Sequence, residues 1–510
     1  MTISLKLLLQ IFLTVWAVAM VEVYVLKGDG DIFDFYTLCL SLGIGLTLFI
    51  ALSLASTNQL LVQVFVITLY IIQYFLPRLL FYQLFPNQLE FNYGEDLDPK
   101  FVNDGLLYIL MGTLAILAGF FFADQYSKKI PRQKEKIKKK WNLPAGQGLF
   151  LIFLLSSLAD LYMTIVLRVV PSNHVKSENH YLLMGIRTLI STDTSFFLLL
   201  ACLLFKNLKT TGERIILTLS TVIYSLQMTL LGSKGALLRI GLMFLILAIS
   251  RYGNIRVKAL KLIFIMSIMM ALGVVGYGVG LASRMWLAAD VVAEGPSSQS
   301  IEVGQEALSH STISDLLLMI VDRLGIIDYP ISIISRVETH APNPYMSLNY
   351  VFKSFFNIIL PGAPFPEVAH PTAQVLGVIY GSFEEEALDN TFNSEPWTIW
   401  GVTYAFFGWA GGLLVLFISA FTLHFFYTHL SSSLSSDFLL LFQSNYFFWA
   451  MMGSYYNNMG LDYASGTLIM VILQIIVVCL LGHLANSFIK KFKSFFSKPN
   501  AALCGNTNTP

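Results

Sequence analysis

Twelve stretches of this 510-residue chain are apolar over lengths that suit a bilayer crossing. The hydrocarbon layer is about 30 Å thick and a helix rises about 1.5 Å per residue, so a span takes about 20 mostly apolar residues. Such runs fall near 3–26, 35–55, 60–85, 104–123, 148–170 and 182–205, then near 215–231, 236–250, 258–281, 398–427, 438–456 and 464–485. The pattern predicts an all-α integral membrane protein of about twelve transmembrane helices. Composition agrees, since only 12% of residues are charged and 55% are hydrophobic; a soluble domain carries about twice that charge fraction. The seventh and eighth runs are short and divided only by Gly232-Ser233-Lys234-Gly235. Read as one kinked element they would reduce the count to eleven.

The basic residues decide between these counts and set the orientation. With both termini cytoplasmic, the inner segments are Lys128–Lys140, Lys206–Arg214, Arg251–Lys261 and Lys490–Lys498, which together with Lys6 hold 20 of the 32 Lys and Arg. The four short outer loops ahead of the ninth span hold only Lys27, Lys100, Lys176 and Lys234, and one of them is acidic, with Glu90, Glu95, Asp96 and Asp98. Twelve spans satisfy the positive-inside bias throughout, whereas eleven place a basic segment on the wrong side. The apolar run from Ile3 to Leu26 lacks a small-residue cleavage site and reads as a retained first span. Cys39, Cys202, Cys479 and Cys504 show no paired spacing, so neither a disulfide framework nor a zinc site is indicated.

The expected organisation is spans one to nine over 1–282, a large periplasmic loop over 283–397, spans ten to twelve over 398–486, and a basic, then polar, cytoplasmic tail over 487–510. In the loop, Ile313, Leu316, Leu317, Ile320, Val321, Leu324 and Ile327 recur at helical spacing. They predict a short amphipathic helix stopped by Pro330, followed by a second short piece through Arg336. Pro342, Pro344, Pro361, Pro364, Pro366 and Pro371 make the next stretch irregular.

Cations on the outer side run against the insertion bias. Arg78, Arg168, Arg187, Arg239 and Arg284 fall at or near outer span ends, Lys234 lies in the adjoining turn, and the loop adds Arg323, Arg336 and Lys353. Each taken singly can snorkel to headgroups or pair with a nearby acid. As a set they supply what a buried phosphate or diphosphate needs, because arginine stays charged and grips oxyanions bidentately. Asp160, within the fifth span and two turns from Arg168, reads either as a functional intramembrane carboxylate or as a partner of Arg168 or Arg187. Gly273, Gly276, Gly278 and Gly280 suit close helix packing, not a nucleotide loop. No cluster has metal-ligand spacing, and no metal or cofactor is expected.

Three features resemble the O-antigen polymerases, the oligosaccharide repeat-unit polymerases of the Wzy type. One is the outer turn Leu231-Gly-Ser-Lys-Gly-Ala-Leu-Leu-Arg239, where Lys234 stands in place of the family's usual arginine. The others are the large outer loop with paired arginines and the entry Tyr404-Ala-Phe-Phe-Gly408-Trp-Ala-Gly411. The resemblance implies a bacterial inner-membrane glycosyltransferase that joins undecaprenyl-diphosphate-linked oligosaccharides at the periplasmic face. It further implies membrane lipids and a chain-length regulator as partners, with no nucleic acid. In that scheme Lys234, Arg239, Arg284, Arg323 and Arg336 are the candidates to hold the diphosphate, and preorganised cations can stabilise the leaving group without a metal. Glu338 and His340, which follow Arg336 by two and four residues, are the candidate bases for the acceptor hydroxyl. The alternatives are a ligase using nearly the same chemistry and a flippase or other carrier; carriers usually have short loops and two related halves.

Overall fold

The structure, a computed structural model, describes residues 2–29, 33–84, 99–129, 210–219, 256–258, 325–339, 398–433 and 483–492, with isolated residues between 353 and 365 and between 442 and 480. The membrane-length helices are built from α1 (Leu5–Lys27), α2 (Phe35–Leu54), α3 (Asn58–Tyr74), α4 (Leu76–Leu84), α5 (Pro99–Lys129) and α7 (Thr398–Ser433); α6 (Asp328–Thr339) is shorter. With α3 and α4 joined end to end, five helices are long and apolar enough to cross a membrane. The described residues are helical except for one small strand pair. There β1 (Thr2–Ser4) lies antiparallel to β2 (Arg256–Lys258), with Ile3 opposite Val257.

Local sequence explains where these helices start and bend. Asp34 and Thr37 form a reciprocal cap at the start of α2, and the Thr57 side chain accepts the Leu60 amide at the start of α3. The expected third span is bent between α3 and α4 at Phe75, two residues before Pro77. Proline lacks an amide proton and its ring collides with the carbonyl four residues back, which accounts for the break. The Trp16 indole N–H, donating to the Leu76 carbonyl at 3.0 Å, fixes α1 against that bend. In α7 the expected span runs on to Ser433 and is interrupted at Gly408, whose φ of 65° and ψ of −166° lie outside helical space. Thr210 and Glu213 cap a further helix over 211–219, slightly ahead of the expected seventh span.

Polar ties join helix ends in two separate layers. At one end Lys6 donates to the Ser53 carbonyl (2.8 Å), Thr57 to Asp124 (2.8 Å) and Gln59 to Ser431 (3.0 Å). At the other end Lys27 donates to the Leu84 carbonyl, Thr37 to Asn103, and Arg78 pairs with Asp328. We call these the Lys128 end and the Arg78 end. The ties make α1, α2 and α3–α4 an up-down-up series, with α5 and α7 both running from the Arg78 end to the Lys128 end.

Between the layers packing rests on close approach, since lipid offers little hydrophobic drive for helix association. Gly105, Gly112 and Gly119 repeat every seven residues along α5 and present one face without side chains. A Cβ at Gly105 would meet Ile331 of α6, at Gly112 Trp400 of α7, and at Gly119 the Phe417 carbonyl oxygen at 2.5 Å. Trp400 stacks in turn with Tyr70 of α3 and with Tyr456, at 6.1 Å in each case.

Candidate functional site at the Arg78 end

The segment Gly325–Thr339 contributes a helix to the interior of the described bundle. Gly325–Ile327 form a turn in which the Asp328 amide donates to the Gly325 carbonyl (3.1 Å), and α6 begins directly after it. Pro330 therefore sits in the first turn of α6 and does not stop a preceding helix as expected, while the expected second piece through Arg336 lies within α6. The first turn tolerates proline because amides there have no intrahelical acceptor to lose. The predicted helix over 313–327 falls mostly outside the described residues.

Residues 325–335 are all buried, so this part of α6 is enclosed on every side instead of lying with one face in water. Two glycines make the room. Gly105 of α5 faces the Ile331 backbone, and a Cβ at Gly401 of α7 would stand 3.3 Å from Pro330 Cα. The polar side chains described in this segment are short: Asp328, Ser332 and Ser335, each at most 6% exposed.

A buried carboxylate needs a counter-charge, and α4 supplies it. Arg78 directs Nη2 (2.9 Å) and Nε (3.2 Å) at Asp328 Oδ2, and the Tyr82 hydroxyl donates to the same oxygen at 2.6 Å. Arg78 Nε also reaches the Tyr82 hydroxyl at 3.0 Å, and the guanidinium carbon stands 4.7 Å from the Tyr82 ring centre. Arg78 and Tyr82 are four residues apart on α4 and so share one helical face. Both side chains of the ion pair are wholly inaccessible.

Near this triad, Asp34 caps α2 and binds Thr37 and the Asn103 amide, the latter at 3.1 Å. Partial burial pushes the Asp34 carboxyl up, but donation from Thr37 and Asn103 outweighs it and holds the group below the usual carboxylate range.

Of the predicted site residues, Lys234, Arg239, Arg284, Arg323 and His340 lie outside the described residues. Arg336 and Glu338 fall in the last third of α6. Residues two apart on a helix are separated by about 200° around its axis, so 336 and 338 are positions on opposite sides of α6. Arg336 instead follows Ser332 by one turn. Arg78, counted among the outer cations, proves to be paired with an acid. Asp328 and Tyr82 were not singled out in the sequence, although an arginine and a tyrosine at i, i+4 and an aspartate inside Ile326-Ile327-Asp328-Tyr329-Pro330-Ile331 were both visible there.

No protein-family model matches the chain, and neither a curated protein nor a solved structure matches it. The residues themselves therefore carry the functional argument.

Proposed function

We propose that the protein polymerises undecaprenyl-diphosphate-linked oligosaccharide repeat units at the periplasmic face of a bacterial inner membrane. The observation that carries this reading is the enclosure of residues 325–335: the start of α6 is buried in the bundle, and the same helix runs on through positions 336 and 338. A catalytic loop must hold its groups to within a fraction of an ångström, and one anchored among spans does so better than a surface loop. Arg336, with Lys234, Arg239, Arg284 and Arg323, would bind the diphosphate, and Glu338 or His340 would accept the proton of the attacking sugar hydroxyl.

The same reading takes twelve crossings, with the Lys128 end cytoplasmic. The β1–β2 pair supports it by putting Thr2–Ser4 and Arg256–Lys258 on one side, which requires an even number of crossings between them. Eight spans satisfy that condition and seven do not.

One observation favours a second reading. A span interrupted at Gly408 is the kind of discontinuous helix that carriers place around a substrate, so a lipid-linked oligosaccharide flippase is the alternative. Glycan profiling of a deletion strain separates the two. Polymerase loss leaves single repeat units on the outer face, flippase loss leaves them on the cytoplasmic face, and polymer held on the carrier lipid would instead indicate a ligase. A normal glycan profile would reject all three.

A further inference from the structure

Arg78 is an outer cation near the segment that carries Arg336, and charge alone would assign it to the diphosphate site. Its surroundings do not. The guanidinium directs two nitrogens at Asp328 Oδ2, lies against the Tyr82 ring and has no accessible surface. A diphosphate could reach it only by displacing Asp328, and that residue opens a helix confined between Gly105 and Gly401.

We propose that Arg78 is a positioning residue for α6. By neutralising Asp328 it allows the start of the loop helix to be buried, and by its two-nitrogen grip it sets the depth and rotation at which positions 336 and 338 leave the bundle. The helix dipole also favours a carboxylate in the first turn, but that contribution is too small to bury a charge by itself. Tyr82 completes the geometry, since its hydroxyl accepts from Arg78 Nε and donates to Asp328. Arg78 directly follows the interruption at Phe75, in the first turn of α4. The consequence for activity rests on the polymerase reading above, whereas the docking of α6 does not.

The test follows α6 directly. The Cβ built at Gly401 lies 3.7 Å from Ile333 Cβ, a separation that a disulfide accepts. In a background without Cys39, Cys202, Cys479 and Cys504, Gly401→Cys with Ile333→Cys should crosslink readily on oxidation in membranes. Adding Arg78→Met should lower the crosslinking rate by about tenfold or more, since it leaves a buried carboxylate uncompensated. Arg78→Met with Asp328→Leu removes both charges and should restore most of it. Polymer length, measured without the added cysteines, should follow the crosslinking rate through the series. An unchanged rate in Arg78→Met overturns the proposal. So does restored crosslinking without restored polymer in the double variant, because Arg78 would then act on substrate. Should Arg78→Met fail to accumulate in membranes, Arg78→Lys takes its place: the charge stays, the two-nitrogen grip goes, and the expected rate is intermediate, an unchanged rate being the overturning result. If deletion leaves every glycan normal, the polymerase reading fails while the crosslinking series still decides whether Arg78 seats α6.

Discussion

The two ends of the described bundle hold their helices together by different means. At the Lys128 end, Lys6, Thr57, Asp124, Gln59 and Ser431 join neighbouring span ends through hydrogen bonds; Asp124, itself nearly buried, also faces His424 at 3.9 Å and pairs at 2.6 Å with Lys128, which is 51% exposed. At the Arg78 end the principal tie is an ion pair with no accessible surface, and it joins a span to a segment more than two hundred residues away in the chain. A tie whose cation is half in water, such as that of Lys128 to Asp124, is exchangeable with water and weak. A sealed one has no such substitute, so its loss should be far more costly. The difference indicates that the Lys128 end needs only closure, whereas the Arg78 end is built to hold an inserted element.

The sharpest way to break that comparison is to remove one cation at each end. Arg78→Ala should cost about 3–5 kcal/mol, the range for breaking a buried pair by deleting one partner. Thermal unfolding in detergent, together with abundance in the membrane, measures it. A loss close to that of Lys128→Ala would remove the contrast.

Gly119 and Gly408 sharpen it, because they test what lies between the ends. A Cβ at Gly119 would stand 2.5 Å from the Phe417 carbonyl oxygen and 2.9 Å from the Phe421 amide nitrogen. Backbone atoms cannot swing aside, so Gly119→Ala should separate α5 from α7 and cost about 1–3 kcal/mol by overpacking. At Gly408 nothing stands within 4 Å of an added Cβ, and the conflict lies in its φ of 65°. Gly408→Ala should therefore cost about 1–3 kcal/mol through backbone strain alone, since φ 65° with ψ −166° is open essentially only to glycine. Comparing the two in the same unfolding assay separates steric closeness from backbone conformation.

Smaller effects are expected at the exposed ties. Lys128→Ala should change stability by less than about 1 kcal/mol, and less again at high salt. Asp34 adds a pH dependence. Its carboxyl is held below the usual range, so its contribution is complete above the unfolded-state value and is lost as pH falls through the lower, folded one. The stability difference between the parent and Asp34→Asn should therefore be largest near neutrality and shrink on acidification below the ordinary carboxylate value. A difference that grows toward acid would contradict that assignment.

Span length and hydropathy made the helices legible, because crossing a fixed apolar thickness constrains length directly. The expected runs 3–26 and 35–55 correspond to α1 and α2 within two residues. The run 104–123 understates α5, since Pro99 to Asn103 and Asp124 to Lys129 continue the helix through polar residues that an apolar window excludes. Burial of α6 was not legible. Its isoleucines and its Asp328, Ser332 and Ser335 read as two faces of a surface helix, and only a distant arginine turns the polar face inward. Gly105, Gly112 and Gly119 were readable by their spacing of seven, a small-residue stripe, but glycine inside an apolar run does not announce its partner. The strand pair at Thr2–Ser4 could not be foreseen, as three residues carry no usable periodicity.

That strand pair has a consequence for how the protein is made. Ser4 meets Arg256, a residue synthesised about 250 positions later. At a translation rate of about 5–20 residues per second, the interval is on the order of tens of seconds. Throughout it the early strand lacks the mate it has in the finished fold, and pairing can occur only once residues 256–258 have been made and brought beside residues 2–4. The pairing of Thr2–Ser4 with Arg256–Lys258 is thus a late closure in the making of the protein.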